Sequence, residues 1–367
     1  MKVTFITTLN HNVGDDFVRE GIKYLLENVY KERIHYSYVN KHLPATVRYG
    51  FEKIKSLKWS ERIEKYLPVG ASRDKILTAD LVVQSGAPFF WLQDNGAASY
   101  KTEWYDPLIV KRFDKMENKR LMNIGVGTCQ DYFSDGSEFL KSEKFVSYVE
   151  DFSNRCALTT VRDQLSHKLL NTLGLKTAKI PCPSIFSSDY LLEQIPEKKE
   201  YVALNFMNGA GHYDFKNNID SSMWLSKFGE FYSAVKHSER CVWVCHNKSE
   251  VEMAKSIDAE ASIFFSEKHE EYVSFYSKAK FGIVNRVHAG FQMASSYAPS
   301  LIIGSDSRAR MADEIGLKSV FVNEVTVDDL VKAFKDFQKT YSEYKEKIIS
   351  IKHESFEIYS RLLGQAF

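Results

Sequence analysis

FGIVNRVHAGFQMASSYAPSLIIGS, residues 281–305, carries the alternation on which the fold prediction depends. The apolar strand FGIV ends at Asn285, and a helical pattern over residues 289–297 follows it. A second apolar strand, PSLIIGS, comes next. A strand, a loop, a helix and another strand in this order predict a β–α–β unit with parallel strands.

The same alternation extends along the chain in both directions. Before residue 195 the predicted strands are VTFIT, HYSYV, ADLVVQ, RLMNIGVG and CALTTV, and after it they are YVALNFM, CVWVCHN, ASIFFS, KFGIVN, PSLIIGS and KSVFV. A first helix is predicted from about Asp16 to Val29, and Asp163 is predicted to cap a helix that Gly174 closes. The alternation therefore predicts a mostly parallel α/β sheet in each half.

A break at IPEKKE, residues 195–200, divides the chain into two predicted domains, 1–195 and 196–367. A length of 367 residues is sufficient for two hydrophobic cores. We expect two Rossmann-like domains with a cleft between them. A last helical stretch, 327–363, is predicted to cross back in part onto the first domain.

Composition narrows the classes of partner. The 49 Lys and Arg nearly balance the 48 Asp and Glu, and a chain without a basic excess is not expected to bind nucleic acid. Neither the amino terminus nor residues 287–305 have the pattern of a signal peptide or a membrane span. Five cysteines without disulfide-framework spacing indicate a reducing compartment, so we expect a cytoplasmic protein.

The cysteines Cys241 and Cys245 in CVWVCH do not predict a metal site. Positions four apart on a strand lie about 13 Å from each other, which is too far to share one zinc ion. We interpret both as core residues, and no metal site is predicted elsewhere.

Residues 41–65 depart from the alternation, with seven Lys or Arg against three Asp or Glu and apolar residues between them. Two interpretations remain open. The segment is either a solvated helix whose apolar side packs on its own domain, or a basic amphipathic helix in contact with the inner face of a membrane.

Basic side chains are predicted to gather where strands of the second domain end. Arg286 and His288 lie two residues apart between a strand and a helix, so an extended backbone would direct both side chains to one side. With the positive end of the helix dipole, they suit a small ligand that carries phosphate or carboxylate. Arg308 follows the next strand as a second anion ligand. The alternatives are a capped turn with a satisfied histidine and, for Arg308, a solvated surface charge.

The loop after the first strand, LNHNVGDD, carries amides and a glycine at the corresponding edge of the first sheet. Asp15 or Asp16 is predicted to cap the first helix, while Asn10 and Asn12 offer amides to the cleft and Gly14 permits close approach. A sugar-binding wall and a simple capped turn are both compatible with this loop.

Three stretches together resemble the polysaccharide pyruvyl transferase family: the N-x-G-D loop at 12–15, VRDQLSHKLLNTLG at 161–174, and RVHAGFQMASSYAPSLIIGSDSRARMADEIGL at 286–317. The R-x-H-A junction is the most specific part, and the resemblance covers most of the chain. It implies a glycosyltransferase-B-like fold, with the acceptor on the first domain and the donor on the second. It also implies transfer of pyruvate from phosphoenolpyruvate to a sugar of a surface polysaccharide or lipid-linked glycan, as a ketal.

The resemblance also implies roles for individual residues. His288 is the catalytic candidate, Arg286 is similar to a residue that binds the carboxylate or phosphate of the donor, and Arg162 is similar to an arginine that also contacts it. Arg308 stands where the family has a lysine, which keeps the charge and changes the geometry. Phosphoenolpyruvate is a substrate in this scheme, and no cofactor or metal is implied.

Two loops depart from the family pattern. Ser85-Gly86-Ala87-Pro88 replaces a glycine-rich turn, and Cys182 stands where an aspartate often precedes a proline. These loops are expected to face the acceptor, so Ser85 and Gly86 are cleft candidates and the acceptor sugar stays unspecified. His246, at another strand end, is interpreted as structural, with a place in the cleft as the alternative. Two alternatives to pyruvyl transfer remain open: the protein is a glycosyltransferase that uses a nucleotide sugar, or a glycan-binding protein without catalytic activity.

Overall fold

The computed structural model describes residues 1–9, 12–48, 64, 66–70, 73–92, 108–116, 120–211 and 218–366. The chain forms two compact units. Unit 1 comprises Met1–Cys129, Gly136–Pro183 and Ile358–Phe367, and unit 2 comprises Gln130–Asp135 and Ser184–Glu357. Among the described helices, none combines the length and the apolar character needed to cross a bilayer.

Unit 1 is built on a parallel sheet with the strand order β2-β1-β3-β5-β6-β7, and β4 pairs with β5. Its strands are β1 (Lys2–Thr7), β2 (His35–Asn40), β3 (Leu81–Ser85), β4 (Pro88–Phe90), β5 (Arg120–Thr128), β6 (Leu158–Val161) and β7 (Ala178–Lys179). Its described α-helices are α1 (Val13–Val29), α2 (Glu143–Arg155) and α3 (Gln164–Thr172).

Unit 2 is built on a second parallel sheet, with the order β10-β9-β8-β11-β12-β13. Its strands are β8 (Tyr201–Asn205), β9 (Cys241–Val244), β10 (Ile263–Phe264), β11 (Ala279–Val284), β12 (Ser300–Gly304) and β13 (Lys318–Phe321). Its helices are α4 (Ser187–Leu191), α5 (Ser221–Val235), α6 (Lys248–Ile257), α7 (His269–Tyr276), α8 (Val287–Ser295) and α9 (Val327–Thr340). The last helix, α10 (Tyr344–Ala366), contributes residues to both units.

The predicted strands are all present, and the prediction of parallel sheets is confirmed. Every residue of β3, β8 and β12 is buried, as expected for strands covered on both faces, and such strands appear in a sequence as continuous apolar runs. The strands β4 and β7, of three and two residues, were not predicted.

The first helix begins earlier than predicted, and the prediction that Asp15 or Asp16 caps it is wrong. The side chain of Asn12 caps α1, and its Oδ1 accepts a hydrogen bond from the Gly14 N–H at 3.1 Å. Both aspartates instead lie in the first helical turn, where their negative charges interact favourably with the positive end of the helix dipole. The predicted cap by Asp163 is confirmed, since its side chain accepts from the Ser166 N–H at 2.8 Å.

The long second segment of unit 2 begins at Ser184, whereas the sequence placed the break between the domains at residues 195–200. The reason is a set of buried hydrogen bonds that join residues 184–189 to the rest of unit 2. Ser187 Oγ donates to Gln292 Oε1 at 2.6 Å, and the Ser188 N–H donates to Ser295 Oγ at 2.8 Å.

The predicted helical stretch 327–363 is two helices, α9 and α10, separated by a 3-10 turn at Tyr341–Glu343. The last residues of α10 belong to unit 1. There the Tyr359 hydroxyl donates to the Pro181 carbonyl, and the Tyr30 hydroxyl donates to the Leu363 carbonyl, both at 3.0 Å.

Each sheet has one place where the chain reverses the direction in which it adds strands. In unit 1 this place lies between β1 and β3, and in unit 2 between β8 and β11. Ligands of open α/β sheets bind beyond the carboxyl ends of the strands at such a point. A ligand-binding site is therefore expected at the loops after these four strands.

Candidate functional site

Two buried asparagines fix the loops at the reversal point of unit 2. Asn205, at the end of β8, accepts the Arg286 N–H through Oδ1 at 2.9 Å. Asn285, directly after β11, accepts the Met207 N–H at 2.8 Å and donates to the Ile303 carbonyl at 2.9 Å. Because buried polar groups are costly to leave unpaired, these bonds hold both loops in one conformation.

Arg286 and His288 follow β11 and Asn285, and of the two only Arg286 keeps the extended backbone that the sequence suggested, with φ −78° and ψ 116°. Arg286 is the N-cap of α8, and His288 is already in the first helical turn. Strand geometry therefore does not set the direction of the two side chains. Both residues are partly exposed and neither lies in the packed interior. The amino terminus of α8, which is the positive end of its dipole, lies at these residues, as predicted.

Glu250, in α6, is the carboxylate partner of Arg286. Its Oε1 accepts from Arg286 Nε at 2.8 Å and from Nη2 of the same guanidinium. Its Oε2 accepts the His246 N–H at 2.7 Å and Asn205 Nδ2 at 3.2 Å. Glu250 is only 5% exposed, so it binds one edge of the guanidinium in a shielded environment.

Sequence reasoning did not select Glu250. The available signal was the N-x-x-E spacing of Asn247 and Glu250 after strand CVWV. In the structure Asn247 caps α6 by accepting the Glu250 N–H at 2.9 Å, and its Nδ2 donates to Glu250 Oε1 at 3.0 Å. The spacing predicts a helix start, but not the contact with Arg286.

His246 lies two residues after the end of β9 and packs against the rings of Tyr272 and Tyr276. Its Nε2 is 2.7 Å from the Tyr276 hydroxyl, and its ring packs edge-on against Tyr272 at a centroid distance of 5.0 Å. Burial lowers the pKa of His246 well below its usual value of 6.5, and the charges of Arg286 and His288 lower it further. The imidazole is therefore neutral at neutral pH.

The lowered pKa of His246 predicts a loss of stability in mild acid. Below about pH 6.5 the unfolded chain binds this proton and the folded chain does not, so stability is lost as the pH falls. We expect unfolding in urea at about pH 7.5 and about pH 5.5 to show a larger loss for the natural chain than for His246→Gln. Equal losses in the two proteins would contradict the assignment.

Arg308 is held by an acidic residue of its own loop. Its Nε donates to Asp306 Oδ1 at 2.8 Å and its Nη2 to Asp306 Oδ2 at 2.6 Å. Asp306 also caps the 3-10 segment Ser307–Ile315 by accepting the Arg308 N–H. A role for Arg308 in donor binding stays a prediction, and it requires N–H groups that this pair does not use.

Arg162, at the end of β6 in unit 1, is only 1% exposed. Its Nη1 lies 3.5 Å from Cys182 Sγ. Gly127 packs against it so closely that an added Cβ would lie 3.0 Å from Arg162 Nε. Its donor-binding role stays a prediction that needs this guanidinium to become accessible.

The other predicted residues of unit 1 lie after β1 and β3. Asn12 caps α1, and the Asp15 carboxylate lies 3.6 Å from Lys41 Nζ. Ser85 Oγ is buried and has no hydrogen-bond partner among the described residues. Gly86 has a φ of 56°, and a Cβ there would lie 2.6 Å from Val18 Cγ1, so close packing of α1 explains this glycine. Asn10 and residues 49–63 and 65 of the basic segment lie outside the described residues.

Comparison with solved structures gives similar folds at low identity. A UDP-GlcNAc 2-epimerase from Neisseria meningitidis is 11% identical with a TM-score of 0.55, over 95% of this chain and 94% of that chain. One from Methanocaldococcus jannaschii is 11% identical with a TM-score of 0.52, over 97% and 100%. The fold is therefore of the glycosyltransferase-B type.

Sequence comparison identifies the family. A search of curated proteins finds no match. The family model described as polysaccharide pyruvyl transferase matches residues 12–290, which is most of the chain and includes Arg286 and His288. The resemblance inferred from the N-x-G-D loop and the R-x-H-A junction is confirmed, and this chain belongs to the polysaccharide pyruvyl transferase family.

Proposed function

We propose that this protein transfers pyruvate from phosphoenolpyruvate to two hydroxyls of a sugar in a surface polysaccharide or lipid-linked glycan, forming a ketal. Family membership supports the transferase class and a carbohydrate acceptor. The observation that carries the donor assignment is Arg286, held by Glu250 beside the amino terminus of α8 and His288.

Phosphoenolpyruvate suits these groups because its carboxylate and phosphate lie close together. Glu250 occupies the Nε and Nη2 groups of Arg286, so the guanidinium is oriented before a ligand arrives. Its remaining N–H groups can form charge-assisted hydrogen bonds to an anionic oxygen. The positive end of α8 adds further stabilisation for negative charge.

The proposed reaction balances in atoms and protons. Two sugar oxygens form bonds to C2 of phosphoenolpyruvate, and the bond from C2 to the phosphate oxygen breaks. One hydroxyl proton goes to the methylene carbon, which becomes a methyl group, and the other leaves with inorganic phosphate. His288 is the proposed acid and base for these transfers. Arg286 stabilises the charge of the departing phosphate. Phosphoenolpyruvate is the donor, and the scheme calls for no further cofactor.

The acceptor and the cellular location are also proposals. The loops after β1 and β3, with Asn12 and Ser85, are the proposed sugar contacts of unit 1. None of the five cysteines, which all lie in the described part of the chain, forms a disulfide, and this fits the reducing conditions of the cytoplasm. Contact of the basic segment 41–65 with the inner face of the membrane is an additional proposal, supported by its composition alone.

A ligand comparison tests the donor. Phosphoenolpyruvate at about a hundred times its Kd should stabilise the fold by about 2.7 kcal/mol and raise the melting temperature by several degrees. Nucleotide sugars at the same concentration are the control and should have no effect. Incubation with phosphoenolpyruvate and candidate sugars should release inorganic phosphate. Stabilisation by a nucleotide sugar alone would overturn the proposed donor.

A further inference from the structure

We propose that His246 is a ligand-binding residue: a neutral imidazole whose Nδ1–H donates a hydrogen bond to an anionic oxygen of the ligand that Arg286 binds. This inference rests on the proposed function, because it assumes an anionic donor. It gives His246 a role in recognising the donor, whereas the sequence suggested a structural residue or an acceptor contact.

The first step concerns the proton on the ring. Tyr276 is fully buried, and its hydroxyl lies 2.7 Å from His246 Nε2. Burial raises the pKa of this phenol well above 10, so it keeps its proton. A phenol is a stronger acid than a neutral imidazole N–H, and an imidazole nitrogen is a better acceptor than a phenol oxygen. Tyr276 therefore donates to Nε2, and the proton of the neutral ring lies on Nδ1.

The second step concerns Nδ1 itself. This atom is buried and has no hydrogen-bond partner among the described residues, although the residue as a whole is partly exposed. A buried donor without an acceptor destabilises the fold. Such a cost is explained if the missing acceptor arrives with a ligand.

The charges around the ring decide the kind of ligand. Arg286 and His288 both act on His246 electrostatically, and the Glu250 carboxylate accepts its backbone N–H. The other titratable groups beside it are Tyr272 and Tyr276 of α7, and Cys245 precedes it in the chain, between β9 and His246. The positive charge of Arg286 favours an anionic oxygen over a cation at this position. A neutral His246 adds a donor without adding a charge, so its contribution to binding does not titrate near neutral pH.

Two substitutions at His246 separate its ring nitrogens. The amide nitrogen of His246→Asn takes the position of Nδ1, whereas the amide of His246→Gln reaches the position of Nε2. Calorimetric titration with phosphoenolpyruvate should give a Kd within about threefold of the natural protein for Asn and at least about tenfold weaker for Gln, which is about 1.4 kcal/mol. Tyr276→Phe, which releases the ring, should also weaken binding. Equal weakening by Asn and Gln, in variants that unfold cooperatively, would overturn the proposal.

Nitrogen chemical shifts of ¹⁵N-labelled histidine test the same idea without a ligand. We expect a protonated Nδ1 and an unprotonated Nε2, unchanged from about pH 5.5 to about pH 8. A proton on Nε2 would overturn the proposal. If the natural protein binds no phosphoenolpyruvate, the proposed function fails. In that case the same variants are titrated with inorganic phosphate. The role of His246 is supported if Asn binds phosphate about as well as the natural protein and Gln binds it more weakly, and the nitrogen shifts provide the second test.

Discussion

Substitution of His288 by alanine is expected to lower the rate of phosphate release from phosphoenolpyruvate by about two to four orders of magnitude. His288 lies in the first turn of α8 and is partly exposed, with its ring 6.4 Å from that of Phe291. Alanine is the residue most compatible with a helix, so the fold should be kept, with a change in unfolding free energy of about 1 kcal/mol or less. Single-turnover assays and urea unfolding measure the two quantities.

A matched control is available for this variant. His353 is an exposed histidine in α10, and His353→Ala should leave turnover unchanged. Binding of phosphoenolpyruvate to His288→Ala should weaken less than turnover, because proton transfer acts in the transition state. Full activity of His288→Ala would remove this residue from the mechanism, whatever the result for Arg286.

Glu250→Ala is expected to destabilise the protein by about 3–5 kcal/mol. The substitution leaves the guanidinium of Arg286 without its carboxylate in a site where the Arg286 side chain is 12% exposed. It also removes the acceptor of the His246 N–H and of Asn205 Nδ2. Glu250→Gln retains an oxygen acceptor, so its loss should be smaller. The midpoint of urea unfolding measures both effects.

Glu252, on the same helix, is exposed and provides the control. Glu252→Ala should change the unfolding free energy by about 0.5 kcal/mol or less. Of the two changes at Glu250, Glu250→Gln is the sharper test of positioning. It should raise KM for phosphoenolpyruvate more than it lowers kcat, since a neutral amide orients Arg286 less firmly than the carboxylate before binding. An equal effect of the two alanine variants on stability would show that the carboxylate does not hold Arg286.

Much of the fold was predictable because it depends on local patterns. Fully buried parallel strands such as β8 and β12 give unbroken apolar runs, and β11 ends where Asn285 interrupts its run. The position of Arg286 and His288, just beyond that strand end, follows from the same pattern. The start of α8 was less predictable, because Val287 and His288 do not distinguish a first helical turn from a loop.

The partners of the candidate residues were not predictable in the same way. Arg286 and Glu250 are separated by 36 positions and meet only after β9, α6 and β11 are assembled. Arg162 packs against Gly127 of a different strand, where an added Cβ would lie 3.0 Å from Arg162 Nε. Sequence patterns report spacing within an element, whereas these contacts depend on which strands become neighbours.

The course of the backbone restricts how this protein can be dissected. The chain passes from one unit to the other after Cys129, Asp135, Pro183 and Glu357. Truncation of the chain at one position therefore does not yield either unit with all of its segments. Tyr359 and Leu363, in the part of α10 that belongs to unit 1, are both fully buried. Removal of these residues would expose the core of unit 1. An affinity tag should therefore be added after them and should not replace them.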